Sequence, residues 1–177
     1  MGQVSPPLKA YFDQLKDKTL SILIPGCGNG YEAGHLLDEG YTAVTLVDFS
    51  PTLVDRLRQK FRHYTDRSPA PLHLIEGDFF TLTGKFDLII EQTFFSALDP
   101  SLRGKYIDKM QALLKPGGKL VGLLFDREFP GGPPFGGSRQ EYIALLEKKF
   151  TLRTIEPCYN SIPPRAGSEV FFIAVKN

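Results

Sequence analysis

Apolar positions along the chain change period several times, and each change predicts an element boundary. Leu20, Ile22, Leu23 and Ile24 form a short, nearly continuous apolar run, which suits a strand covered on both faces of a parallel sheet. Pro25-Gly26-Cys27-Gly28-Asn29-Gly30 interrupts it, and residues 31–39 resume at helical spacing with Ala33, Leu36 and Leu37 apolar. A second strand is predicted over 41–47, ending in Asp48. Ahead of the first strand, Leu8, Tyr11, Phe12 and Leu15 share one face of a helix predicted over 7–17. Ser50-Pro51 sets a capping residue before a proline at the first helical position, and Leu53, Val54, Leu57 and Phe61 stripe the helix that follows.

A polar loop over 65–71 leads to a third strand over 72–76, which ends at Gly77-Asp78-Phe79-Phe80. A fourth strand is predicted over 86–91. The helix expected over 100–114 is stopped by Lys115-Pro116-Gly117-Gly118, and a fifth strand over 119–125 follows. After a Pro/Gly-rich loop (129–137) come a helix over 138–149 and two strands near 151–158 and 169–176. Strands alternating with helices, then a closing pair of strands, predict an α/β fold. Its sheet is doubly wound, mostly parallel and seven-stranded, with an antiparallel last strand, as in Rossmann-like proteins. The 177 residues are expected to form a single domain, 1–177, without repeats or linkers.

Composition narrows the function classes. A formal net charge of +1 gives no reason to expect nucleic acid or an anionic membrane as partner. No apolar run approaches the roughly 20 residues that span a bilayer, and no signal-peptide pattern opens the chain. Cys27 and Cys158 have no metal-ligand spacing, so no metal is expected, and a reducing cytoplasm and a monomer are the default expectations.

Chemistry concentrates at the first turn. A glycine-rich loop between strand and helix lets a ligand approach the backbone at the positive end of the helix dipole. Asp48, at the end of the next strand, is placed to take a ribose hydroxyl pair. Read literally, Gly28-Asn29-Gly30-Tyr31-Glu32-Ala33 satisfies the GxGxxA dinucleotide pattern of an NAD-dependent oxidoreductase. However, Pro25-Gly26-Cys27 intervene and widen the loop, which suits a cofactor with no pyrophosphate, such as S-adenosylmethionine. Asp78 and the Phe79 amide, after the third strand, can take an adenine edge.

The strings IPGCGNGYE, VDFSP, GDFF, FDLIIEQTFFSALDPSLR, LLKPGGKLVGLLF, GGPPF and IPPRAGSE occur in that order. Together they resemble the thiopurine S-methyltransferase family, within class I S-adenosylmethionine-dependent methyltransferases, and especially its thiol, thiocyanate and halide branch. The family lacks the acidic residue that most of the class carries where Ile24 stands. The resemblance implies that Gly26, Cys27 and Gly28 contact the methionine end of the cofactor. It implies that Asp48 holds the ribose, that Phe49 packs beside the adenine, and that Asp78 and Phe79 bind its edge. Glu91 stands where the family usually has Asp and is expected to face the cofactor amino group or the reaction space. Phe95 and Phe125 are expected to line the substrate pocket with Phe135, Phe125 at a position often held by Tyr. Arg127, Arg139 and Arg165 flank the loops at the carboxyl side of the sheet, and each can either attract an anionic substrate or form an ordinary surface salt bridge. Arg165, within IPPRAGSE, is the best placed of the three to meet a substrate, with Glu169 as its structural partner. Cys27 is read as a small loop residue rather than a nucleophile, and His35, His63 and His73 as surface residues.

Family members carry a tryptophan-rich segment ahead of the first strand that covers the site. This chain opens at Met1-Gly2-Gln3-Val4-Ser5-Pro6-Pro7-Leu8 and has no tryptophan, so the lid is expected to be absent or the site open. The expected activity is in-line methyl transfer to a small soft nucleophile (a thiol, thiopurine, bisulfide, thiocyanate or halide) without an obligatory catalytic residue. The alternatives are the NAD-dependent oxidoreductase, and a non-catalytic S-adenosylmethionine binder or lidless fragment.

Overall fold

In the computed structural model, which describes residues 2–177, alternate side chains of the first strand leave the sheet on opposite sides. Ile22 and Ile24 join one apolar cluster and Leu23 the other. That period-2 alternation organises the whole molecule.

In chain order the elements are α1 (Pro6–Phe12), β1 (Ile22–Pro25), α2 (Tyr31–Asp38), β2 (Val44–Asp48), α3 (Pro51–Lys60), α4 (Arg62–Thr65) and β3 (Leu72–Glu76). There follow β4 (Phe86–Gln92), α5 (Phe94–Ala97), α6 (Arg103–Leu113), β5 (Leu114–Phe125), α7 (Arg139–Leu146), β6 (Phe150–Pro157) and β7 (Glu169–Lys176). The sheet runs β3-β2-β1-β4-β5-β7-β6. Every pairing is parallel except those of β7, which lies antiparallel between β5 and β6. This is the doubly wound, mostly parallel seven-stranded sheet expected from the pattern, with β7 inserted beside β5 rather than added at the edge.

Leu8 and Phe12 of α1, Leu36 and Leu37 of α2, and Leu57 of α3 cover one face of the sheet. Tyr106, Ile107 and Met110 of α6, with Tyr142 and Leu146 of α7, cover the other.

Several boundaries differ from the pattern for local reasons. The helix predicted over 7–17 stops at Phe12, and Asp17 then turns the chain by accepting from the Thr19 N–H (2.8 Å) and hydroxyl (2.6 Å). The helix predicted from 100 begins as a 3-10 turn, Pro100–Leu102, capped by Asp99 at the Ser101 N–H (2.8 Å). The Lys115-Pro116-Gly117-Gly118 stop lies inside an irregularity of β5, where pairing with β4 jumps from Phe86–Leu114 to Leu88–Lys119. The short α5 was not predicted. No helix among the described residues is long and apolar enough to cross a membrane.

The strand order reverses around β1, with β2 on one side and β4 on the other. At such a switch point the loops beyond the strand ends diverge and leave a crevice.

Candidate active site

Four strand ends meet at that crevice, and backbone bonds hold them in step. Gly26 N–H donates to Val47 O and Gly77 N–H to Asp48 O, both at 2.9 Å. The loops after β1, β2, β3 and β4 therefore surround one cavity of about 570 Å3. Gly26 and Gly28, Asp48 and Phe49, and Asp78 and Phe79 all line it. A comparably large hollow of about 600 Å3 lies beside β3, but none of these strand-end groups borders it.

Gly26 must be glycine here on two counts. Its φ is +55°, and a Cβ would fall 2.3 Å from Cδ2 of Phe94. The Phe94 ring thus lies on the loop backbone and forms one wall of the cavity. Gly28, at φ +51°, has nothing within 4 Å of a built Cβ. The loop is pinned from outside by Lys60, whose Nζ donates to Asn29 O at 2.7 Å while resting over the Tyr31 and Phe61 rings.

Asp48 is half-buried, and among the described residues only its Oδ1 is engaged, by the Ser50 N–H at 3.0 Å. Phe49, next along, is 80% exposed at the cavity. Asp78 caps the 3-10 turn Phe79–Thr81 by accepting the Phe80 N–H at 2.8 Å. As first residue of that turn, Phe79 has no intrahelical acceptor for its N–H. Its ring is buried and packs edge-on to Phe94, 5.0 Å between centroids. Two strand-end carboxylates, an exposed aromatic ring and an uncovered glycine backbone are the groups that take ribose hydroxyls, a base and an amino-acid tail. The cavity fits S-adenosylmethionine.

Other expected residues stand elsewhere. Cys27 is not among the cavity-lining residues, and burial beside Asp48 pushes its thiol up to about 12, so it remains protonated at neutral pH. Glu91 does not face the cavity. It is fully buried, and accepts from the Phe95 N–H (2.9 Å) and the Tyr106 hydroxyl (2.7 Å). The reason is the pleat: at this register its side chain leaves β4 on the α6 side, where Tyr106 lies. Phe95 is likewise core, packed edge-on to Tyr106 and Tyr142 at 5.1 and 5.6 Å.

Phe125 and Arg165 come together, and neither is among the cavity-lining residues. The guanidinium sits 5.1 Å over the Phe125 ring, and Nη1 lies 3.0 Å from Oε1 of Glu169, which is 5% exposed. Phe135 donates its N–H to Ser96 O at 2.7 Å and so ties the Pro/Gly-rich loop to α5. Arg139 is structural, bonded to Ile155 O (2.7 Å) and Glu156 (3.1 Å), whereas Arg127 rests over Phe129 rather than in an ion pair. His63 and His73 are exposed; His35 is packed against Phe12 instead. Thr93, Ala97 and Leu98 line the cavity without having been singled out. Phe94, in contrast, is one of four phenylalanines at strand ends (with Phe79, Phe80 and Phe95) among which one or two site walls are expected, and it is such a wall.

Comparison with known proteins bears on the family and the fold. The family profile described as Thiopurine S-methyltransferase matches residues 1–171. A probable thiol methyltransferase 2 of Arabidopsis thaliana is 38% identical over 151 residues, covering 83% of this chain and 66% of that protein. Thiocyanate methyltransferase 1 of Brassica oleracea is 30% identical over 174 residues, covering 95% and 75%. The chain thus spans about two thirds to three quarters of these relatives. Among solved structures, the 1,6-didemethyltoxoflavin N1-methyltransferase of Burkholderia thailandensis, with S-adenosylhomocysteine bound, superposes with a TM-score of 0.72. It shares 22% identity over 97% of this chain and 75% of that one.

Proposed function

The chain belongs to the thiopurine S-methyltransferase family of S-adenosylmethionine-dependent methyltransferases, and on that premise we propose that it methylates a small soft nucleophile: a thiol, thiopurine, bisulfide, thiocyanate or halide. The observation that carries the reading is the convergence of Gly26, Gly28, Asp48, Phe49 and Asp78 on one cavity at the switch point. The dinucleotide reading of Gly28-Asn29-Gly30-Tyr31-Glu32-Ala33 falls with family membership. Pro25 is the last residue of β1, so Gly26 and Cys27 are the extra residues that widen the turn ahead of Gly28.

In this assignment the Asp48 carboxylate accepts the ribose hydroxyls and Phe49 covers the adenine. Asp78 and the Phe79 N–H read the adenine edge, and the Gly26–Gly28 backbone, with Cys27 between, borders the methionine end. S-adenosylmethionine would supply an electrophilic methyl carbon, to which the nucleophile's electron pair would bond in line as the C–S bond breaks and its pair stays on sulfur, leaving the neutral thioether. The chain's task is alignment, worth roughly 7–11 kcal/mol in well-oriented reactions. An already anionic acceptor needs no base. On the acceptor side, Arg165 with Phe125 supplies positive charge beside an aromatic face, partly offset by Glu169.

The reading is tested by incubating the protein with methyl-labelled S-adenosylmethionine and bisulfide, thiocyanate, iodide, an aryl thiol and a thiopurine. Labelled product from at least one acceptor is expected. S-adenosylhomocysteine binding without product from any of them contradicts the activity and leaves a binding protein.

A further inference from the structure

Glu91 is an unusual group to find where it is. The carboxylate has no exposure and sits among the rings of Phe95 and Tyr106, with Phe79 and Phe94 stacked around the latter. Burying a charge there is unfavourable unless it is well bonded.

Its bonds point to a task. The segment after β4 turns sharply through Thr93, the one non-glycine residue with positive φ (65°) among the described residues. α5 then makes a single turn, and Thr93 offers it no side-chain cap. The cap comes instead from the preceding strand, where Glu91 Oε1 accepts the Phe95 N–H at 2.9 Å. Its Oε2 accepts the Tyr106 hydroxyl at 2.7 Å and so ties the turn to α6. A backbone held in a sparsely populated region persists only where its surroundings over-determine it.

Gly122 on β5 makes room for this arrangement. It pairs with Glu91, and a Cβ there would fall 2.5 Å from Glu91 Cβ. Phe94 directly precedes the bonded Phe95, packs against the bonded Tyr106 with 6.2 Å between ring centroids, and rests its ring on Gly26.

We propose that Glu91 is a positioning residue for the cofactor site: with Tyr106 it clamps α5 so that Phe94 is held against Gly26 and sets the width of the cavity. The inference rests on the site assignment above and adds a residue that never touches the ligand.

A double-mutant cycle tests it, read by calorimetric titration of S-adenosylhomocysteine, with melting curves and KM and kcat measured alongside. Glu91→Ala is expected to weaken binding at least tenfold and to raise the S-adenosylmethionine KM more than it lowers kcat. Glu91→Gln, which keeps an acceptor for the Phe95 N–H, is expected to stay within threefold of the natural protein. In a Phe94→Ala background, Glu91→Ala is expected to have less than a twofold effect, because the ring it positions is gone. If Glu91→Ala does not fold, Tyr106→Phe replaces it in the same cycle, with at least threefold weakening expected. Unchanged affinity in a folded variant, or equal weakening with and without Phe94, overturns the proposal. Asp48→Ala serves as the control: if it binds like the natural protein, the site assignment fails rather than the clamp.

Discussion

The Phe94 ring lies on the backbone of Gly26, so closely that a Cβ on the glycine would fall 2.3 Å from Cδ2 of the ring. Gly26→Ala must push Phe94 aside and strain a backbone at φ +55°. Its melting temperature is expected to fall by several degrees, equivalent to about 1–3 kcal/mol. Affinity for S-adenosylhomocysteine is expected to drop at least tenfold. Thermal melts and calorimetry measure the two effects separately.

Phe49 presents the opposite case. At 80% exposure it contributes little to the fold, so Phe49→Ala is expected to melt with the natural protein, within about 0.5 kcal/mol. Loss of stacking on the adenine is expected to raise the dissociation constant by roughly tenfold, since base–aromatic stacking is worth about 1–3 kcal/mol. Fluorescence or calorimetric titration of S-adenosylhomocysteine checks this.

Burial pushes the Glu91 carboxyl up to about 7, against the bonds from Tyr106 and the Phe95 and Phe94 amides, which favour the ionised form. The folded protein therefore binds this proton more tightly than the unfolded chain. The group's contribution to stability is full below pH 4.5 and is lost as the pH rises through 7. Glu91→Gln removes the titration. Urea unfolding at pH 5 and pH 8 is expected to show the variant gaining on the natural protein at the higher pH.

Arg165 pairs with a nearly buried Glu169 and also flanks Phe125, so its structural and substrate roles need separating. Arg165→Met is expected to lower stability by leaving Glu169 unpaired. It is also expected to raise the KM for an anionic acceptor, with little change in that for S-adenosylmethionine. Adding Glu169→Gln is expected to restore the melting temperature but not the acceptor KM. Recovery of both in the double variant would leave Arg165 with a structural role alone.

Much of the site was readable because its groups sit where a periodic pattern breaks. Gly26, Asp48 and Asp78 each stand just where an apolar strand gives way to polar or glycine residues, and those ends share one edge of the sheet. Glu91 stands at such an end too, but which side of the pleat it leaves from depends on the register with β5 and on Tyr106, fifteen residues further on. The α5 turn has four residues, too few to show helical period, so nothing local told which of Phe94 and Phe95 would wall the site and which would join the core. The pairing of Arg165 with Glu169, four residues on, was within reach of the local sequence. Its packing over Phe125 joins β5 to the loop ahead of β7, a contact that no local pattern encodes.

The central claim is that the carboxylate ending β2 holds the cofactor, and titration of S-adenosylhomocysteine into the natural protein and Asp48→Ala tests it most directly. Hydrogen bonds to a charged group contribute about 1.5–3 kcal/mol. The natural protein is expected to bind one equivalent, and the variant to bind at least tenfold more weakly while retaining a cooperative melt. Equal affinity in the two proteins would contradict the site described for this chain.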